Sequence, residues 1–208
     1  MSLSTEPVFA LLQTKFVCGW RDISREPYCG KSGRHDLDNP AVLTTNGAGP
    51  TNTQLFILAA DGTVLHCLPG YWDARDLACE IALADELHAI WRDGSLPREQ
   101  KERRFREAHL AHIAKHPRDM VRRSRMQGFD QKFEARKEAS DCIAVRTENG
   151  KVVYKTTDRI MHERIADQPF RPVGEFDVAA CVKYGRPKYD KRGDDKEVEG
   201  GTPVGRRR

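Results

Sequence analysis

The clearest hydrophobic pattern in the chain is an apolar run that stops at an Asp-Gly pair and then resumes at once. The run occupies residues 55–58, Asp61-Gly62 follows it, and residues 63–65 continue it. Asp-Gly readily adopts the positive φ angles of a tight turn, so the pattern predicts a β-hairpin. Because four successive positions before the turn are apolar, we expect the first strand to be buried on both faces.

Apolar positions then recur with helical spacing, which predicts a helix over residues 73–91. They are Leu77, Ile81, Ala84, Leu87, Ala89 and Ile90. Asp73 is a suitable N-cap for this helix, and Gly94 follows its end. A second helix is predicted from Pro97, a residue type that suits a first helical turn, to Lys115.

The remaining patterned segments are shorter. Asn149-Gly150 separates two apolar stretches and predicts a second hairpin. A short helix is predicted over residues 157–166, and residues 176–182 fit either a strand or a short helix. Near the N-terminus, residues 7–17 are apolar first and mixed later, which predicts a strand that leads to Cys18.

One stretch resembles a known family. Phe16, Val17, Cys18, Gly19, Trp20 and Arg21 are similar to the active-site turn of thioredoxin-like proteins, where a buried strand ends in Trp-Cys-x-x-Cys at a helix N-terminus. The resemblance covers roughly residues 7–92 and includes the Asp-Gly hairpin and the helix after it. It places Cys18 at the attacking thiol, whereas Arg21 stands where the family has its second cysteine. The family's cis-proline position falls near Thr53.

These patterns predict an α/β protein with four parts. The resemblance implies a shortened thioredoxin-like domain over residues 1–92. The residue patterns add a basic helical segment over 93–139, a small C-terminal unit with a β-hairpin over 140–190, and a charged disordered tail over 191–208.

The resemblance implies thiol-based redox chemistry or thiol-dependent handling of a partner, which would be a thiol-bearing protein or a small thiol. Cys18 would be the nucleophile, because a helix N-terminus and the nearby Arg21 both favour the thiolate. Cys29 would be the resolving thiol, and a peroxidatic or mixed-disulfide cycle is an alternative. Cys18 could equally be a small buried residue at a strand end.

The rival hypothesis is a non-catalytic thioredoxin-like scaffold that binds a protein partner or a metal ion. His109, His112 and His116 stand at i, i+3 and i+7 and therefore share one helical face. Neutral imidazoles so placed can bind zinc, copper or iron, with a carboxylate such as Glu107 or Asp119 nearby. Solvated histidines on a basic helix are the plainer interpretation. His66 and His162 are isolated in sequence and indicate no site.

Composition narrows the class of protein. Of 208 residues, 32% are charged and 38% are apolar, which is typical of a soluble globular chain. No apolar run approaches the roughly 20 residues that a membrane span needs. The N-terminus lacks a signal-peptide pattern, which leaves a cytoplasmic protein and a processed exported protein both open. The even number of cysteines, six, permits disulfides, but a chain of this size does not need them to fold, so we expect free or partly paired thiols and not a full disulfide framework.

Basic residues concentrate in residues 92–137, where 14 Lys or Arg face seven Asp or Glu. Such a stretch can bind phosphate backbones, so nucleic acid is a conceivable partner. No nucleic-acid motif appears in it, and aromatic residues are few. A solvated helix face with Glu–Arg pairs is the favoured interpretation.

Overall fold

The computed structural model describes residues 2–32, 44–137, 142–186 and 188–189. Within them lie seven α-helices and six short strands. In chain order they are α1 Val8–Lys15, β1 Lys31–Ser32, β2 Gln54–Leu58, β3 Val64–Pro69, α2 Ala74–Arg92, α3 Arg98–Lys115, α4 Arg118–Arg123, α5 Gly128–Ala135, β4 Ala144–Arg146, β5 Val152–Tyr154, α6 Thr157–Ala166, α7 Val178–Val182 and β6 Lys188–Tyr189. The predicted charged tail, residues 191–208, lies outside the described residues.

The Asp-Gly hairpin is present as predicted. Strands β2 and β3 pair antiparallel, and Gly62 takes a φ of 82° in the turn between them. The Asp61 side chain accepts a hydrogen bond from the Thr63 backbone N–H at 3.0 Å, which fixes the turn. The expected burial of β2 on both faces is wrong, since Leu58 is 41% exposed. Helices α2 and α6 pack against β3, and the fully buried strand is therefore β3.

The helices after the hairpin match the sequence pattern closely. The Asp73 carboxylate accepts from the Arg75 backbone N–H at 3.0 Å and caps α2, as predicted. Helix α3 begins directly after Pro97, and α6 has the predicted bounds. Helix α3 packs against both α2 and α6, so the three helices meet beside β3.

The N-terminal segment differs from its prediction. Residues 7–17 do not form a strand; helix α1 occupies most of them. Val8, Leu11 and Leu12 have the i, i+3, i+4 spacing of a helix face, and Val8 is fully buried in the main core. The pattern of a short apolar run is compatible with both a strand and a buried helix. Here the segment forms a helix that packs against α2.

The architecture is mixed α/β, as predicted at that level. The second hairpin pairs β4 with β5 around the Asn149-Gly150 turn, and β1 pairs with β6 in parallel. The main core draws buried residues from Val8 to Cys181. Among the described helices, none combines the length and the apolar content of a membrane span.

Candidate metal centre

A cluster of ionisable side chains lies in the interior where α2, α3 and α6 meet β3. Five imidazoles and two carboxylates form it: His66, His109, His112, His116 and His162 with Glu80 and Asp158. Ionisable groups are costly to remove from water unless they are paired or bind an ion. So many of them in one buried place therefore require a physical explanation.

Four of these residues converge on one point from three helices. Glu80 comes from α2, and His162 comes from α6. His112 lies in the last turn of α3, and His116 is the C-cap residue directly after that helix. His112 and His116 are four residues apart, so one turn of α3 presents both rings on the same face. One ligand atom from each of the four residues lies within 4.8 Å of the other three.

The distances around Glu80 fit a four-coordinate metal ion. Its Oε2 lies 3.2 Å from His162 Nε2 and 3.4 Å from His112 Nε2, and its Oε1 lies 3.5 Å from His116 Nε2. A tetrahedron with zinc–ligand bonds of 2.0–2.1 Å has edges of about 3.3–3.4 Å. The two distances from Oε2 are close to the edge of a zinc tetrahedron, and the contact of His116 is with the other oxygen of the same carboxylate.

Two of the converging nitrogens have no other partner. His112 Nε2 and His116 Nε2 are buried and make no hydrogen bond with any described residue. A buried ring nitrogen left without a partner costs free energy comparable to a lost hydrogen bond. A metal ion at the centre of the four ligand atoms would satisfy both nitrogens at once.

The Nδ1 atoms of His116 and His162, and the Glu80 carboxylate, are held by neighbouring side chains. Asp158 Oδ2 lies 2.8 Å from His116 Nδ1, and His109 Nδ1 lies 2.8 Å from His162 Nδ1. His66 Nε2 lies 2.9 Å from Glu80 Oε2. Metal-binding histidines in proteins are oriented by contacts of this kind, with the second ring nitrogen on a carboxylate or another acceptor.

The electrostatics of the cluster keep Glu80 ionised. Burial by itself raises the pKa of Glu80, but the surrounding histidines, His162 first, hold the pKa well below its ordinary value. Burial likewise lowers the pKa of His116, yet the hydrogen bond to Asp158 and the charge of Glu80 outweigh burial and raise the pKa. Burial lowers the pKa of His66 to about 4 and that of His109 well below its usual value, so both rings are neutral at pH 7.

The charge of the two buried carboxylates would be balanced by a dication. Glu80 and Asp158 are almost fully buried, and every ion-pair partner that the described residues offer them is a histidine. If the histidines are neutral ligands, two negative charges remain in the cluster. One divalent cation cancels them, whereas a monovalent ion leaves a net buried charge.

The sequence prediction for this site is only partly matched by the cluster. His112 and His116 lie in the converging set, whereas His109 lies behind His162 and contributes no atom to that set. The suggested carboxylates Glu107 and Asp119 are exposed, and each pairs with an arginine of its own helix. The suggestion of those two as the nearby carboxylate is wrong, because they occupy the solvent faces of α3 and α4.

The sequence pattern was not used to predict Glu80 and His162 as ligands, although each of them is a titratable residue within the apolar stripe of a helix. Glu80 is three residues after Leu77 and one before Ile81, so it lies within the apolar stripe of α2. His162 likewise lies between Met161 and Ile165, both fully buried. A charged or titratable residue on a stripe that faces the core indicates either a partner or a ligand.

The thiol residues predicted from the family resemblance lie elsewhere. Cys18 is exposed and follows the C-terminal end of α1, so the helix N-terminus expected to favour its thiolate is not there. Arg21 pairs with Glu26, and Cys29 is partly buried with its Sγ 3.3 Å from the Gly30 carbonyl oxygen. All six cysteines lie in the described part of the chain, and all are free.

Comparison of the chain with protein-family models, with curated proteins and with solved structures found no match.

Proposed function

We propose that this chain binds one divalent transition-metal ion through Glu80, His112, His116 and His162. The observation that carries the proposal is the pair of buried, unpartnered nitrogens, His112 Nε2 and His116 Nε2, which lie 3.4 and 3.5 Å from the carboxylate of Glu80. Both contacts to Glu80 are long for a hydrogen bond, and a metal ion bound by all four residues would satisfy the two nitrogens together.

The donor set favours zinc. Three imidazole nitrogens and one carboxylate oxygen suit borderline divalent ions, and a set of four such ligands is common for zinc. Magnesium and calcium prefer sets made of oxygen alone, and copper(I) prefers sulfur ligands. The adjacent Cys79 is exposed and does not belong to the converging set.

The proposed role of the ion is structural. Four protein ligands complete a tetrahedron, and a catalytic zinc keeps a position open for water or substrate. Glu80, His116 and His162 are closed off from solvent, and the His112 side chain is only 17% exposed. The ion would therefore join α2, α3 and α6 from inside, which agrees with a binding scaffold and not with an enzyme.

Metal analysis of purified protein tests this proposal. The chain is stripped with a chelator, dialysed against zinc and measured for bound metal by elemental analysis. We expect one tightly bound zinc ion per chain, and we expect the double variant His112→Gln/His116→Gln to lose it, because two of four ligands are gone.

The matched control is His88→Gln. His88 is a partly exposed histidine on α2 outside the cluster, so this variant should keep the zinc of the unmodified chain. The proposal fails if the unmodified chain retains no zinc after dialysis. It also fails if the double variant retains as much as the His88→Gln control.

The thioredoxin-like fold and the thiol chemistry of Cys18 stay predictions. The Asp-Gly hairpin followed by α2 supports the resemblance, and the exposure of Cys18 allows reaction with a partner. The thiol chemistry is tested by the alkylation rate of Cys18 at pH 6, compared with the alkylation rate of Cys142, which is also exposed. A nucleophilic thiolate reacts faster than Cys142, and equal rates would remove the thiol hypothesis.

A further inference from the structure

We infer that His109 is a positioning residue, which holds the ligand His162 in the tautomer that can bind the metal. The inference rests on the proposed metal centre and assigns a role in it to a residue outside the four ligands. It also explains why three histidines share one face of α3 although only two of them are ligands.

The contact between the two rings permits only one arrangement once the metal is bound. His109 Nδ1 and His162 Nδ1 are 2.8 Å apart, which is a hydrogen bond with a single proton between them. A metal at His162 Nε2 uses the lone pair of that nitrogen, so the proton of the neutral ring is on Nδ1. His162 Nδ1–H therefore donates to His109 Nδ1. The proton of His109 is then on its Nε2, a buried nitrogen that has no hydrogen-bond partner among the described residues.

The surroundings of His109 hold the ring in the accepting position. Its ring centroid lies 4.5 Å from that of Phe105 and 5.2 Å from that of His66. His109, His162 and Phe105 are all fully buried, so water cannot replace the acceptor.

A neutral acceptor at this place also suits the charge balance. The ligand His116 is held by a carboxylate, Asp158, and Glu80 is itself a carboxylate. A second carboxylate behind His162 would add a third buried negative charge against two positive charges on the ion. An imidazole provides the hydrogen-bond acceptor without that charge.

Two substitutions at position 109 separate positioning from packing. In His109→Asn the amide oxygen can occupy the place of Nδ1 and accept the hydrogen bond, whereas His109→Leu fills space without an acceptor. Zinc affinity is measured by competition with a chromogenic chelator, and the stability of the metal-free chains is measured alongside. We expect His109→Leu to lose affinity by about 10–100-fold and His109→Asn to lose less than about threefold.

A nitrogen-15 NMR measurement on the unmodified, zinc-loaded chain tests the same tautomer assignment directly. The nitrogen shifts of the imidazole rings report which nitrogen carries the proton, and His109→Asn identifies the signals of position 109. We expect protonated Nδ1 at His162 and unprotonated Nδ1 at His109. The reverse assignment, or equal zinc affinity of His109→Leu and the unmodified chain, overturns the inference while the metal centre stands. An unmodified chain that binds no zinc overturns both.

Discussion

Saturating zinc is expected to raise the unfolding temperature of the metal-free chain by about 5–10 °C. The ligands come from three helices, so only the folded chain holds all four at binding distance. A ligand at 100 times its dissociation constant stabilises the folded state by about 2.7 kcal/mol, and each kcal/mol shifts the unfolding temperature by roughly 2–4 °C in a chain of this size. Differential scanning calorimetry with and without zinc measures the shift.

The same scans on two variants identify the source of the shift. His112→Gln/His116→Gln should show no zinc-dependent shift, and the His88→Gln control should show the full one. Magnesium at the same concentration should leave the unfolding temperature unchanged, because this donor set does not suit a hard cation. A zinc-dependent shift of equal size in the double variant would mean that the metal binds at another place.

Asp76→Ala is expected to lower the free energy of unfolding by about 2 kcal/mol, since it removes a buried carboxylate that accepts hydrogen bonds from the partly buried Arg123 guanidinium. Asp76 is 2% exposed, and its carboxylate accepts hydrogen bonds from Arg123 Nη2 at 2.6 Å and from Asn46 Nδ2 at 2.7 Å. The variant leaves the guanidinium and the amide without this acceptor. Urea-induced unfolding of the metal-free chain measures the difference.

Asp119→Ala is the matched control for Asp76→Ala. Asp119 also pairs with an arginine, Arg122, at 3.2 Å, but both side chains are about 70% exposed. An exposed pair of this kind contributes little, so this variant should stay within about 0.5 kcal/mol of the unmodified chain. Equal losses in the two variants would contradict a special role for the Asp76 pair.

Local signals in the sequence were enough to predict several elements. The Asp61-Gly62 and Asn149-Gly150 turns each fix a hairpin through backbone conformations that these residue pairs favour. Helices α2, α3 and α6 follow from apolar periodicity, an Asp cap and a helix-starting proline. In each case the information lies within the element itself, so no knowledge of the tertiary structure is needed.

The two predictions that were wrong, for residues 7–17 and for residues 55–58, depended on tertiary contacts. The run at residues 7–17 has a length and apolar content that suit two structures, and only its packing against α2 selects the helix. Residues 55–58 are all apolar, but the burial of β2 depends on which face of the two-stranded sheet the helices cover. Neither fact is present in the local pattern.

Two of the four residues of the proposed metal site, His112 and His116, were predicted from the sequence. His112 and His116 are one helical turn apart, and that spacing alone places both rings on one face of α3. Glu80 and His162 are 82 residues apart in sequence, and their contact arises only when α2, α3 and α6 assemble. His66 lies in a wholly buried strand, where a histidine needs a partner, and that partner is Glu80.

X-ray absorption at the zinc edge of the zinc-loaded chain tests the central claim most directly, because it distinguishes the histidine cluster from the six cysteines. The proposed site predicts four nitrogen or oxygen neighbours at about 2.0–2.1 Å, with the outer-shell scattering of imidazole rings and no sulfur neighbour. A sulfur neighbour at about 2.3 Å would place the metal on a cysteine and contradict the account.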